Sequence, residues 1–309
     1  MPRREMTWST DTIGSQAGKT IVITGANAGI GFETAKLLAA KGADLILACR
    51  NPANAGRAVE RIKAQQADAR VSYQLLDLCS LASIRRFAAD FDATHERLDV
   101  LINNAGVMTP PLGRTADGFE TQFGTNFLGH FLLTLLLLPV LNRTPKSRVV
   151  TLSSVAHWTG AIDFDNLNAE RSYSKWSAYS QSKLANLMFV YELQRRLDES
   201  GAATISTGAH PGVTASDLSR HSPALRVVQR AIAQSTAKGS LPSLRAAVDP
   251  AVRGGDYYGP GGALTLTLYG DARKQTSSRR SRDREIAARL WTTAERLCGE
   301  RYPTMRAVV

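Results

Sequence analysis

The run Thr20-Ile21-Val22-Ile23-Thr24, followed at once by Gly25-Ala26-Asn27-Ala28-Gly29-Ile30-Gly31, constrains this chain more than any other stretch. Five residues rich in β-branched side chains predict a buried strand, and the helical pattern that continues to Lys41 predicts a helix behind the glycines. Residues 44–48 supply a second strand. A strand, helix, strand unit of this kind crosses over right-handed and leaves its two strands parallel.

The alternation persists along the chain. Helices are predicted over 52–66 and 81–95, strands over 71–76 and 98–102, and an apolar helix over 127–141. Then come the strand Arg148–Leu152, a long helix ending near Ser200 and a strand over 203–207. A last strand is predicted over 263–268, after the glycine- and proline-rich turn Tyr258-Gly259-Pro260-Gly261-Gly262. The whole predicts an α/β fold: one Rossmann-type domain over 1–309 with a doubly wound parallel sheet of about seven strands. Residues 1–17 read as a polar leader. Residues 213–250, with Pro211, Pro223 and Pro242 at or near their edges, break the rhythm and are expected to form a helical substrate lid at the carboxyl ends of the strands. Residues 271–309 form a C-terminal extension, Arg/Ser-rich over 273–284. Its helix puts Ile286, Leu290, Ala294 and Leu297 on one side and is expected to pack on the body.

Composition matters for the choice of partners. The 43% hydrophobic content excludes a disordered chain, and the net charge of +11 admits phosphate-bearing ligands, nucleic acid or acidic membrane. Arg279-Arg280-Ser281-Arg282 is the stretch on which a nucleic-acid reading rests; no nucleic-acid partner is expected from so short a run. Cys49, Cys79 and Cys298 are odd in number and far apart, which predicts neither disulfide nor metal site and a reducing compartment. The apolar run over 127–141 is too short to span a bilayer, and no apolar stretch stands behind Met1 to make a signal peptide. A cytoplasmic location is therefore expected.

Several residues suggest chemistry. Gly25, Asn27, Ala28, Gly29, Ile30 and Gly31 would let a pyrophosphate rest on the amides of a helix N-terminus. A carboxylate at the end of the second strand would hold ribose hydroxyls; Cys49-Arg50-Asn51 stands there instead, and the planar fork of Arg50 suits a 2′-phosphate, favouring NADP over NAD. Asp77 and Leu78 are candidates for the adenine. Asn103, Asn104, Ala105 and Gly106 would line the cofactor, and Pro211, Gly212 and Thr214 would turn the chain over its nicotinamide end. Asn126, inside an apolar helix, either caps a local interruption or holds a water. Ser154 ends the fifth strand. Tyr179 and Lys183 share a helical face, where the ammonium is expected to draw the phenol below its ordinary pKa of about 10.

Taken together, Thr24-Gly25 to Gly31, Asn103-Asn104-Ala105-Gly106, Asn126, Ser154, Tyr179 with Lys183, and Pro211-Gly212 resemble the short-chain dehydrogenase/reductase family over about residues 18–270. The resemblance implies four catalytic residues. Tyr179 would be the general acid/base, Ser154 would hold the carbonyl oxygen, Lys183 would bind the nicotinamide ribose, and Asn126 would anchor a water in the proton relay. Ala48-Cys49-Arg50-Asn51, Ser153-Ser154-Val155-Ala156-His157 and His210-Pro211-Gly212 resemble the retinol-dehydrogenase-like branch, which implies NADP(H)-dependent interconversion of a lipophilic aldehyde or ketone and its alcohol. The 25 positions from Ser154 to Tyr179 leave an extra loop over 157–175. Trp158 and Trp176, in and beside it, either line an apolar site or pack on the surface. A homodimer or homotetramer through the helices carrying Asn126 and Tyr179 is also implied, although core burial explains the Leu132 to Leu138 run equally well. The alternatives are an NAD-preferring dehydrogenase of the same fold and a non-catalytic NADP-sensing protein.

Overall fold

The computed structural model describes residues 8–213, 235–261 and 269–303. Strand β1 (Thr20–Thr24) is wholly buried, flanked in parallel by β2 (Asp44–Cys49) and β4 (Val100–Asn103), with Ile21 opposite both Leu45 and Val100. Strands β3 (Val71–Leu75), β5 (Arg148–Leu152), β6 (Ile205–Ala209), β7 (Tyr257–Gly261) and β8 (Asp271–Lys274) complete one sheet. Their order is β3-β2-β1-β4-β5-β6-β7-β8, parallel except for β8. Among the described residues eight strands thus stand, close to the about seven predicted.

The difference lies at the C-terminal edge. Four of the residues predicted as a turn, Tyr258 to Gly261, belong instead to β7, because Gly208 and Ala209 pair with Tyr257 and Tyr258. Asp271–Lys274 runs back antiparallel on its other side, as polar as an edge strand can be. The strand predicted over 263–268 lies outside the described residues.

Successive side chains of each strand enter opposite faces. Ile21, Ile23, Leu45, Leu47 and Ile102 pack with helices α1 (Gly29–Ala39), α2 (Pro52–Gln65) and α6 (Thr236–Val248). Val22, Ile46, Leu101 and Val149 pack with α3 (Leu81–Thr94), α4 (Gly129–Arg143), α5 (Lys175–Glu199) and α7 (Arg284–Cys298). Burial on both faces explains why the central strands read as unbroken apolar runs. Helix α6 is a layer of this core through Leu244, Ala246 and Ala247, so it is not part of a lid; residues 214–234 of the expected lid lie outside the described residues.

Helix α4 is preceded by a π-helical turn, Phe123–Leu128, that contains Asn126. The combined stretch Phe123–Arg143 is long and apolar enough to cross a membrane, and 89% of its apolar window is buried in the fold, as in a core helix. The reason is α7. Its Trp291 stacks on Phe189 of α5 at 5.7 Å and meets Phe131 of α4 edge-on at 5.0 Å, while Arg196 lies 4.4 Å over the indole. Helix α7 thus covers part of the outer surface of α4 and α5, the helices through which a second subunit is expected. The Arg/Ser-rich segment before it buries Ser277, Ser278 and Ser281 rather than presenting a solvated basic strip throughout.

Candidate active site

The order of strands reverses between β1 and β4, and a cleft of about 940 Å³ opens outside their carboxyl ends. The turn from β1 to α1 forms one wall. Gly25 and Gly29 hold φ of 66° and 58°, in the left-handed region open to glycine. Gly31 answers a question of space: a Cβ there would stand 2.5 Å from Asn104 Nδ2 and 2.8 Å from the Gly25 carbonyl oxygen. Ala28 caps α1 without a side-chain hydrogen bond, so the first amides of the helix are turned to the cleft. Asn27 and Ile30 border it as well. This cradle fits a pyrophosphate.

Below the turn, Thr24 Oγ1 accepts the amides of Asn104 and Ala105, each at 2.9 Å, and bonds His130 Nε2 at 2.9 Å. His130 Nδ1 in turn bonds the Asn126 carbonyl at 2.9 Å. Burial drives the His130 pKa down to about 4, so the ring stays neutral and the network assigns the proton to Nδ1. Ala105 and Gly106 line the cleft, whereas Asn103, predicted to do so, is turned beneath it: it is fully buried and donates to Thr134 Oγ1 at 2.9 Å. The neighbouring Asn104 is the one that reaches the cleft, while its Nδ2 bonds the Thr24 carbonyl at 2.7 Å. Along an extended strand end the two asparagines point opposite ways, and the pair alone does not say which faces the ligand.

At the far end of the cleft stand Cys49, Arg50, Asp77 and Leu78. Arg50 is largely exposed and lies 3.9 Å from Asp77 Oδ1, a loose pair that leaves its fork open to an anion. Asn51 does not border the cleft. Its Oδ1 accepts the Asn54 amide at 2.9 Å and caps α2, and Asn54 reaches the cleft in its place.

Ser154, Tyr179 and Lys183 meet at the centre. Lys183 Nζ donates to the Leu152 carbonyl at 3.2 Å and Asn186 Nδ2 donates to the same oxygen at 2.9 Å, tying α5 to the end of β5. Ser153 Oγ donates to the Lys183 carbonyl at 2.7 Å. The Ser154 side chain draws the Tyr179 phenol down, but burial outweighs it and pushes the phenol up to about 12. The same burial lowers Lys183 to about 8. The expected depression of the Tyr179 pKa is thus reversed, because the ammonium sits 5.9 Å from the ring centroid and desolvation is the larger effect.

Asn126 does not border the cleft; it stands behind, with its amide fully engaged. Its Oδ1 accepts the Val107 amide at 2.8 Å, and its Nδ2 donates to the Val107 carbonyl at 2.9 Å and to Ser182 Oγ at 3.0 Å. It clamps the loop after β4 to α5 from within the π turn, which is the local interruption that the sequence left as one alternative.

Pro211 and Gly212 border the cleft after β6, and Thr214 lies outside the described residues. Of the two tryptophans, Trp176 lines the cleft and meets the Tyr179 ring edge-on at 6.4 Å, whereas Trp158 is exposed and does not border it. Met108, Thr159 and Ser180, which no motif singles out, border it from three separate segments. Among the described residues no cluster of His, Cys, Asp or Glu could hold a metal ion.

A family model described as short chain dehydrogenase matches residues 19–225. Retinol dehydrogenase 12 of Homo sapiens is 42% identical over 288 residues, spanning 92% of this chain and 88% of its own length. Retinol dehydrogenase 13 of Homo sapiens is 43% identical over 300 residues, spanning 94% and 87%. Among solved structures, an uncharacterized protein from Mycobacterium paratuberculosis superposes with a TM-score of 0.81 at 41% identity, covering 96% of this chain and 99% of its own.

Proposed function

The chain belongs to the short-chain dehydrogenase family, in its retinol-dehydrogenase-like branch, and from that premise we propose that it reduces a lipophilic aldehyde or ketone to the alcohol with NADPH in preference to NADH. Interconversion of an alcohol and a carbonyl with a nicotinamide cofactor comes with the family. The direction, the cofactor preference and the residue roles are inferred from the site.

One observation carries the proposal: Ser154 and the buried Tyr179 and Lys183 sit at the centre of a cleft whose wall is the glycine cradle. The bound nicotinamide supplies the hydride. Gly25 to Gly31 hold the pyrophosphate, and Arg50 receives the 2′-phosphate with no carboxylate at the end of β2 to repel it. Tyr179, kept protonated by burial, donates its phenolic proton to the oxygen that becomes the alkoxide. Ser154 holds that oxygen through its hydroxyl. Lys183 binds the ribose hydroxyls and stabilises the phenolate left behind. Asn126 acts through the backbone, holding Val107 against α5. At neutral pH Tyr179 stands as the phenol, the form that donates a proton in reduction.

Val107, Met108, Leu78 and Trp176 give the cleft carbon-rich walls, and the likeness to retinol dehydrogenases supports an apolar, retinoid-type substrate. The free thiols of Cys49, Cys79 and Cys298 support a reducing compartment, the cytoplasm. The pairing of Arg50 with Asp77 favours a second reading, an NAD-preferring dehydrogenase, since a carboxylate beside Arg50 disfavours a phosphate. Cofactor consumption by the purified protein over aldehydes and ketones of rising apolarity tests both. Turnover of lipophilic carbonyls with NADPH supports the proposal; faster turnover with NADH replaces it by the second reading, and binding of NADPH without turnover of any carbonyl or alcohol overturns both.

A further inference from the structure

The segment that follows β8 looks from its composition like a solvated basic strip, yet it folds inward onto the short 3-10 turn Val155–Trp158 that begins at Ser154. Ser277, Ser278 and Ser281 are buried. Tyr191 donates its hydroxyl proton to Ser277 Oγ at 2.8 Å, and Ser281 Oγ donates to the Ser278 carbonyl at 2.7 Å, so the segment has its own frame on α5. Two bonds then leave it for the turn. The Ser278 amide donates to His157 Nε2 at 3.2 Å, and Arg280 Nη1 donates to the Gly160 carbonyl at 2.9 Å.

His157 passes the first of these on. Its Nδ1 lies 2.6 Å from the carbonyl oxygen of Ser154, and because Nε2 accepts from Ser278, Nδ1 must carry the proton and donate. The ring is 1% exposed, and burial lowers its pKa, which keeps it neutral with one nitrogen for each partner. Ser154 is extended, with φ −156° and ψ 160°, and its Oγ accepts the Ala156 amide at 3.2 Å. The orientation of its main chain therefore decides where its hydroxyl stands.

We propose that His157 is a positioning residue for the reaction: through the Nδ1–H bond to the Ser154 carbonyl, with the Ser278 amide at Nε2 fixing the tautomer, it sets the Ser154 hydroxyl against Tyr179. The proposal rests on Ser154 and Tyr179 being the pair that handles the carbonyl oxygen. His157 touches neither substrate nor cofactor in this role. Its effect belongs to alignment, where an error of about 1 Å costs as much as ~100-fold in rate.

Three variants separate its two bonds. His157→Phe keeps an aromatic ring against Tyr257, which His157 meets edge-on at 5.7 Å, and removes both nitrogens. His157→Asn keeps an N–H where Nδ1 stands. His157→Gln places its amide at the Nε2 end, facing Ser278. Steady-state reduction of one carbonyl substrate, NADPH affinity by fluorescence and thermal unfolding would be measured for each, beside Ser154→Ala. The expected result is a kcat lowered by roughly 10- to 100-fold in the Phe and Gln variants with KM and NADPH affinity unchanged, and recovery of most of the loss in the Asn variant. Wild-type kcat in His157→Phe, or equal losses in the Asn and Gln variants, would overturn the proposal; if the Phe variant does not fold, the Asn and Gln pair decides. Should Ser154→Ala itself keep wild-type kcat, the assignment of the reacting pair fails and this inference with it, whereas loss in Ser154→Ala beside an unaffected His157→Phe removes this inference alone.

Discussion

Lys183 and Tyr179 lie one turn apart on α5, with Nζ 5.9 Å from the phenol centroid, and burial moves them in opposite senses: the tyrosine up to about 12, the lysine down to about 8. Reduction needs both in their protonated forms. The lower of the two values then governs the alkaline side, so kcat should fall as pH rises through about 8 while Tyr179 still holds its proton. A pH profile at saturating NADPH checks this. A limb that stays flat to pH of about 10 would remove Lys183 from the rate-determining protonation.

Replacing Tyr179 by Phe deletes the proposed proton donor and little else. Turnover should drop by at least ~100-fold, with NADPH affinity by fluorescence titration close to that of the wild type. Activity near normal would end the proposed mechanism.

The cofactor preference is tested at Arg50. Arg50→Asp removes a charge-assisted phosphate contact and adds a like charge beside Asp77, 3.9 Å from the present guanidinium. kcat/KM for NADPH should fall by at least ~10-fold, about 1.4 kcal/mol, and that for NADH should rise or hold. Equal loss with both cofactors would show that Arg50 serves the fold or the cleft mouth generally.

Trp291 carries the docking of α7. It is 2% exposed and touches Phe131 and Phe189. Trp291→Ala should cost about 3–5 kcal/mol in denaturant unfolding, the range for emptying a buried aromatic site.

The central sheet was plain in the sequence because its strands are buried on both faces and its helices are periodic. The C-terminal edge was not, for two physical reasons. Gly259 and Pro260 look like turn residues, yet Gly259 is demanded by the His210 imidazole, into which any Cβ would run, and Pro260 pairs with Ala272 at the antiparallel edge. Strand β8, Asp-Ala-Arg-Lys, carries no alternation strong enough to betray it. Within the site, the glycine turn, Ser154, Tyr179 and Lys183 were legible because their spacing is dictated by local geometry. Asn51 and Asn103 were misplaced because a motif fixes a segment, while the direction of each side chain depends on neighbours distant in sequence, Asn54 excepted. The sign of the Tyr179 pKa escaped as well, since sequence shows the lysine and hides the depth of burial.

The docking of α7 ties the end of the described chain into the aromatic cluster of α4 and α5, where Trp291 closes over Phe131 and Phe189. A chain cut ahead of Arg284 would lay those rings open to water, so it should take up an apolar dye and sediment where the full-length protein stays in solution.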